Sequence, residues 1–173
     1  MVMEKTKETV TWSGQTYEME WMDSFDEFQL KDLQQVYGFL FRDDGSLCIV
    51  RPTEKRGWRL PGGGPEPEDF GWKESIIREA KEEADIILDK GSLKIAGIIK
   101  ITPISKNCER GLGYALRVVG RITAIEEQTE DISDGLINER IFIEPSKFLE
   151  YLPWGKFGEH QLNKALECMK DPK

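Results

Sequence analysis

A chain of 173 residues, 39% hydrophobic and 32% charged, suits one compact domain with a small appendage and can bury a substantial core. The formal net charge of -8 argues against a bulk polyanion partner, since nucleic-acid binders carry a basic field, but a small anion bridged by divalent cations remains compatible. No run approaches the roughly 18 apolar residues of a membrane span. Met1-Val2-Met3-Glu4-Lys5 has no apolar signal core, so a secretory leader is not expected. Cys48, Cys108 and Cys168 are odd in number and far apart, and read as reduced packing thiols in a cytoplasm.

In chain order, Val10 and Trp12, then Tyr17, Met19 and Trp21, alternate with polar residues around a Ser13-Gly14 turn, which predicts a hairpin. Residues 23–33, rich in Asp and Glu, read as a linker. Residues 1–33 are thus expected to form an N-terminal extension and residues 34–173 the main domain. Val36 to Phe41 reads as a buried strand, and Asp43-Asp44-Gly45 turns it into a second strand from Leu47 to Val50. Residues 52–67 are loop-like and contain Gly62, Gly63 and Gly64. A helix follows over about 69–84, then strands over 95–101 and 114–125 with a polar loop around Lys106 and Arg110, and a further strand over 139–143. Two helices close the chain, over 148–152 and 159–169, the second with Leu162, Ala165, Leu166 and Met169 on one face. Strands flanked by a few helices indicate a mixed α/β (α+β) sandwich.

The informative stretch is Leu60 to Ile87, LPGGGPEPEDFGWKESIIREAKEEADII. At about 100° per residue, Glu79, Glu82 and Glu83 fall within one arc of a helix, and Ile76, Ile77, Ala80 and Ala84 occupy the adjoining arc. The helix therefore packs on its Ile/Ala side and projects three carboxylates into a common space. Like charges at that spacing repel by a few tenths of a kcal/mol per pair. A hard divalent cation converts that repulsion into affinity. Arg78, four residues before Glu82, is placed to pair with it and fix its orientation. Taken alone, an acidic helix stripe is a solvated face. The glycine run before it adds backbone freedom and close approach for a ligand or ion.

Strand, Leu-Pro, glycine run, acidic turn, and helix with Arg-Glu-x-x-Glu-Glu together resemble the Nudix box. The second half matches at Arg78, Glu79, Ala80, Glu82, Glu83 and Ile86. In the first half, Gly63 takes the box glycine position and Asp69 the glutamate position, with one extra residue near Phe70-Gly71-Trp72. The alternative alignment uses Gly62 and Glu68. Asp85 replaces the final glycine, where a left-handed backbone is expected, so Asp85→Gly is expected to stabilise by up to about 1 kcal/mol.

The resemblance implies a Nudix-like α/β/α sandwich with a mixed sheet from about residue 34. It also implies hydrolysis of a nucleoside diphosphate linked to another moiety. Mg²⁺ or Mn²⁺ would be held by Glu79, Glu82, Glu83 and the carbonyl of Gly62, with Arg78 orienting a glutamate. Glu82 is one candidate general base; a carboxylate between Glu126 and Asp131, or Glu139, is the other. Arg51, Arg59 and Trp58 are candidate substrate-binding residues, with Lys106, Arg110 and Tyr114 behind them. Pro103 stands near where ADP-ribose-type members carry a proline, and the longer signatures of coenzyme A or NADH hydrolases are absent. His160, the sole histidine, reads as structural or exposed. A hairpin alone is marginal in water. Trp12, Tyr17, Met19 and Trp21 are thus expected to pack on the chain's own core or, preferred because related hydrolases dimerise through added N-terminal strands, on a second copy. Two rival readings stay open: a Nudix-fold nucleotide-binding or regulatory module without turnover, and a plain α/β interaction domain with a solvated acidic helix. A P-loop is disfavoured, because Pro-Glu-Pro-Glu follows the glycines.

Overall fold

The computed structural model describes residues 6–52 and 56–170. Residues 1–5, with the reading of the N-terminus, and residues 53–55 of the 52–67 loop lie outside the described residues. Strands β1 (Lys7–Trp12) and β2 (Gln15–Met22) form the expected antiparallel hairpin. Its turn residues Ser13 and Gly14 have φ of 50° and 76°, the paired left-handed geometry that suits strand twist.

Residues 23–33 join β2 to the next strand of the chain. They hold a short helix, α1 (Glu27–Lys31), started by a reciprocal cap in which the Asp26 carboxylate accepts from the Phe28 and Gln29 N–H groups and Gln29 Oε1 accepts from the Asp26 N–H. The remaining elements are β3 (Leu33–Phe41), β4 (Leu47–Arg51), β5 (Gly62–Gly63), α2 (Trp72–Ala84), β6 (Ile86–Leu88), β7 (Lys94–Pro103), β8 (Gly113–Ile125), β9 (Glu139–Ile143), α3 (Phe148–Tyr151) and α4 (Gly155–Lys170). β5 and β6 are strands that periodicity misses, being too short to show any.

The sheet runs β1-β2-β7-β8-β3-β4-β9, with β3 parallel to β8 and the other neighbours antiparallel. β3 and β4 pair only at Phe41 and Leu47, then splay apart. β5 enters beside β3, against Val36 and Tyr37, while β4 pairs with β9 along its length. Alternation along β3 feeds two layers. Val36 and Leu40 pack with Ile76, Ala80 and Ala84 of α2 on one face. Phe39 and Phe41 pack with Phe148, Leu152, Leu162 and Ala165 on the other. This is the expected α/β/α arrangement. Among the described residues, no helix is long and apolar enough to cross a membrane.

The hairpin belongs to this same sheet. β2 pairs with β7 from Tyr17↔Pro103 to Met22↔Ile98, and Tyr17, Met19 and Trp21 are buried with Ile99, Ile101, Ala115 and Phe157. The Trp21 ring lies over Gly97, where a Cβ would collide with it, and meets the buried His160 edge-on at 5.5 Å. The chain's own core therefore covers the apolar face that raised the question of a second copy. Trp12 stays 47% exposed.

α2 ends at Asp85, whose φ of 46° and ψ of 47° are left-handed as expected. The expected gain from glycine there is overturned by the side chain. Asp85 is buried, accepts from Lys81 Nζ at 2.8 Å and Thr129 N at 2.7 Å, and meets Thr129 Oγ1 at 3.1 Å. Burial would raise its pKa, but Lys81 and Thr129 outweigh that and hold it below the usual carboxylate value. Charge-assisted hydrogen bonds contribute about 1.5–3 kcal/mol each, more than the glycine backbone gain of about 1 kcal/mol. Asp85→Gly is therefore expected to destabilise the chain by about 1–3 kcal/mol in urea denaturation. Equal or greater stability would mean that the Thr129 contact contributes nothing.

Candidate active site

The glycine run is positioned by β3. Gly62 has φ of 148°, and a Cβ there would strike the Val36 carbonyl, so only glycine fits. A Cβ on Gly63 would lie 2.5 Å from Glu79 Oε1. α2 thus lies directly against β5. Its N-terminus has no side-chain cap, and Gly71 stands at the cap position. Of Phe70-Gly71-Trp72, near which the extra residue relative to the family pattern is expected, the first two lie outside the helix, and Phe70 is 99% exposed. The helix begins at Trp72 rather than 69, and Asp69 remains in the loop.

Arg78 ties loop to helix. Its Nη1 donates to Glu79 at 2.9 Å and Glu82 at 3.1 Å, and its Nη2 donates to the Gly64 carbonyl at 2.9 Å and Asp69 at 3.0 Å. Asp69, rather than Glu68, meets it. Burial opposes ionisation of Asp69, but Arg78, the Glu66 N–H and Ser75 hold its pKa below the usual value. The Arg78 guanidinium is driven further up, first by Asp69 and then by Glu79.

Glu83 is the most enclosed of the three row glutamates. It is 6% exposed, accepts from the Gly62 N–H at 2.9 Å, and pairs with Arg59. Burial pushes its pKa up to about 7 despite Arg59 and the Gly62 N–H, and Glu79 adds to the rise. Glu79 is also raised, by burial first, with Glu82 and Asp131 contributing. Such burial rules out a merely solvated acidic face. The donor set is all carboxylate oxygen, which fits a hard divalent cation. In the metal-free chain Arg59 and Arg78 sit on these carboxylates, and no preformed group of three metal-ligating side chains occurs among the described residues.

The remaining candidates scatter. Arg59 borders a cavity of about 840 Å³ lined by the hairpin, β3, β8 and the 153–161 segment. Arg110 lines it too. Arg51 and Trp58 do not: Arg51 stacks on Trp58 at 4.6 Å and pairs with Glu139 at 2.6 Å, and Trp58 meets Tyr151 edge-on. Tyr114 is buried in the α2-side core, and Lys106 lies away from the cavity. Of the base candidates, Glu126 is held by Lys81 at 2.5 Å and Glu139 by Arg51, while Asp131 is buried and capped by Ser133.

Sequence reasoning missed the cavity's own polar residues, Tyr37, Gln161 and above all Arg117. The signal was present: Arg117 is a lone charge inside the apolar run YALRVVG. A strand buried on both faces excludes a charge without a purpose.

The Glu83 pKa sets a pH dependence. Its folded value, about 7, lies above the ordinary 4.5. Its stabilising contribution is therefore full below pH 4.5 and is lost as pH rises through about 7. Asp69 and Asp85 are lowered and act in the opposite sense only at more acidic pH. The metal-free chain is expected to lose stability from pH 5 to pH 8 in denaturation with a chelator present, and Glu83→Gln should flatten that slope. A variant with the parental slope would place the titration elsewhere.

The NUDIX domain model matches residues 32–132. No curated protein matches the chain. Among solved structures, the Bacillus subtilis pyrophosphohydrolase BsRppH (E68A mutant) is similar at TM-score 0.66 and 18% identity, covering 87% of this chain and 91% of that one. An ADP-ribose pyrophosphatase from Streptococcus suis gives TM-score 0.55 and 18% identity, with 80% and 92% covered. A NUDIX hydrolase from Nitrosomonas europaea gives 0.59 and 11%, with 79% and 88% covered. Identities this low speak for the fold alone. The domain match takes in β3, the glycine strand and all of α2, more than half of the sequence, and on that ground the chain belongs to the Nudix family.

Proposed function

We propose that the chain hydrolyses a phosphoanhydride bond in a nucleoside diphosphate-X type substrate, using Mg²⁺ or Mn²⁺. One observation carries this reading. The carboxylates of α2 adjoin a nucleotide-sized cavity through two shared residues: Tyr37, whose backbone pairs with Gly62, and Arg59, which pairs with Glu83. Glu79, Glu82, Glu83 and the Gly62 carbonyl are the residues that would hold the cation. When bound, a divalent cation supplies neutralisation of phosphate charge and a lowered pKa for water.

The chain's own residues do the rest. Arg78 holds Glu79 and Glu82 in one orientation while anchoring the loop through Gly64 and Asp69. Arg59 borders both cavity and cluster, so a phosphate arriving from the cavity competes with Glu83 for its guanidinium. Glu82 is the base of choice, since it stands in the same α2 row as Glu79 and Glu83, whereas Glu126 and Glu139 lie outside that row and pair with Lys81 and Arg51. It takes a proton from the attacking water.

The guanidinium contacts on all three carboxylates favour a second reading, a Nudix-fold module that binds nucleotide without turnover. Formation of the phosphomonoester products from ADP-ribose, nucleotide sugars and dinucleotides, and of nucleoside monophosphate with pyrophosphate from nucleoside triphosphates, separates the two. Turnover is expected with Mg²⁺ or Mn²⁺ and not with a chelator, and Glu82→Gln is expected to lower kcat by about 100-fold or more. Glu83→Gln should weaken Mn²⁺ binding in calorimetry while the fold survives. Nucleotide binding with no turnover under any of these metals would establish the module instead.

A further inference from the structure

We propose that the cavity reads the acceptor edge of an oxo-purine base, a ring carbonyl oxygen beside a ring nitrogen, through the buried guanidinium of Arg117. This rests on the reading of the cavity as a nucleotide site and adds which base it takes.

Arg117 is 5% exposed yet lines the cavity. It stands opposite Tyr37 in the β3–β8 register, with its guanidinium 5.1 Å from the Tyr37 ring centroid. Its Nε donates to Gln161 Oε1 at 2.8 Å. These two contacts hold the guanidinium plane. Its terminal nitrogens make only one long protein contact, 3.4 Å to the Leu116 carbonyl. No carboxylate pairs with it among the described residues. A buried cation with so few acceptors and no carboxylate is unfavourable, and burial pulls its pKa down to about 10 against the opposing effect of Tyr37. The remaining donor fork is therefore arranged for a ligand that supplies two adjacent acceptors.

The surroundings select a ring over a second phosphate. An anion subsite gathers several cations that no protein carboxylate holds or accompanies. Arg59 is engaged by Glu83, and Arg110 shares the cavity wall with Glu109 and Glu8. The walls are instead aromatic and amide, including Tyr17, Phe157, Gln34 and Gln35. An arginine fork facing a ring carbonyl and ring nitrogen is the commonest specific contact to guanine, whereas adenine presents an amino donor in the carbonyl's place. Orientation follows from Tyr37, whose ring lies under Arg117 and whose backbone pairs with Gly62, the residue whose N–H meets Glu83. A base at Arg117 leaves its phosphates directed toward Arg59 and the glutamates.

The test is equilibrium binding of GMP, IMP, AMP and 7-deaza-GMP to the full chain with a chelator present, so that no turnover enters the measurement. GMP and IMP are expected to bind at least about tenfold more tightly than AMP, and 7-deaza-GMP, lacking the ring nitrogen acceptor, to lose most of that advantage. Arg117→Met should bring GMP to the level of AMP. If that variant does not fold, the 7-deaza comparison on the parent chain decides alone. Equal binding of GMP and AMP, undiminished binding of 7-deaza-GMP, or inorganic phosphate displacing GMP through Arg117 would overturn the proposal. Absence of hydrolysis leaves it standing, and hydrolysis without base preference overturns it alone.

Discussion

The close approach of α2 to the glycine strand is the constraint on which the rest depends. Two carboxylates come down onto Gly62 and Gly63, one accepting a backbone N–H and the other filling the space a side chain would take. That contact requires β5 to lie beside β3, which in turn requires β3 and β4 to splay after a single paired position. It also constrains where the extra residue expected near Phe70-Gly71-Trp72 is tolerated. An insertion within α2 would rotate Glu79 away from Gly63 by about 100°. Placed beside exposed Phe70, it changes only the loop, and Asp69 still reaches Arg78.

Electrostatics sets the character of the site once that geometry is fixed. Three carboxylates are brought close together and partly or fully buried, which disfavours their charged forms. The chain answers with two guanidiniums from different elements, Arg78 within α2 and Arg59 before the glycine run. Arg78 sits among four carboxylates of the loop and helix and remains charged throughout. Arg59 alone does not fully offset the burial of Glu83. The result is a carboxylate cluster held by ion pairs, with Arg78 on Glu79 and Glu82 and Arg59 on Glu83.

Much of the fold was legible because strand alternation and the helix stripe are both burial patterns. The hairpin, β4, the turn between β3 and β4, β9 and the body of α2 follow from such patterns within a few residues. What escaped has particular causes. α1 hides in an acidic segment whose Asp-x-x-Gln cap carries the signal, not its periodicity. β5 and β6 exist only through their partners on β3 and β8. At the site, the spacing of Glu79, Glu82 and Glu83 predicted their common space, but nothing local to Asp85 announces Thr129, far along the chain. Arg51 and Trp58 looked like ligand contacts because cations and aromatics are what nucleotides need. They stack on each other away from the cavity, with Glu139 on Arg51 and Tyr151 edge-on to Trp58.

The N-terminal hairpin gives the final link between sequence and specificity. Its strand β2 extends the sheet past β7, so Tyr17, Met19 and Trp21 bury one face in the chain's own core. The same extension carries Val10, Trp12, Tyr17 and Met19 to the cavity wall. The carboxylate cluster and the cavity therefore rest on different segments. The carboxylates depend on the contact between α2 and β5, whereas the cavity's outer wall depends on a hairpin that touches none of them. Tyr37 is the residue between, its backbone paired to Gly62 and its ring under Arg117. A change in the hairpin alters what the cavity admits without disturbing the glutamates. A change at Tyr37 disturbs both, because one side chain and one stretch of backbone serve the two ends of the same site.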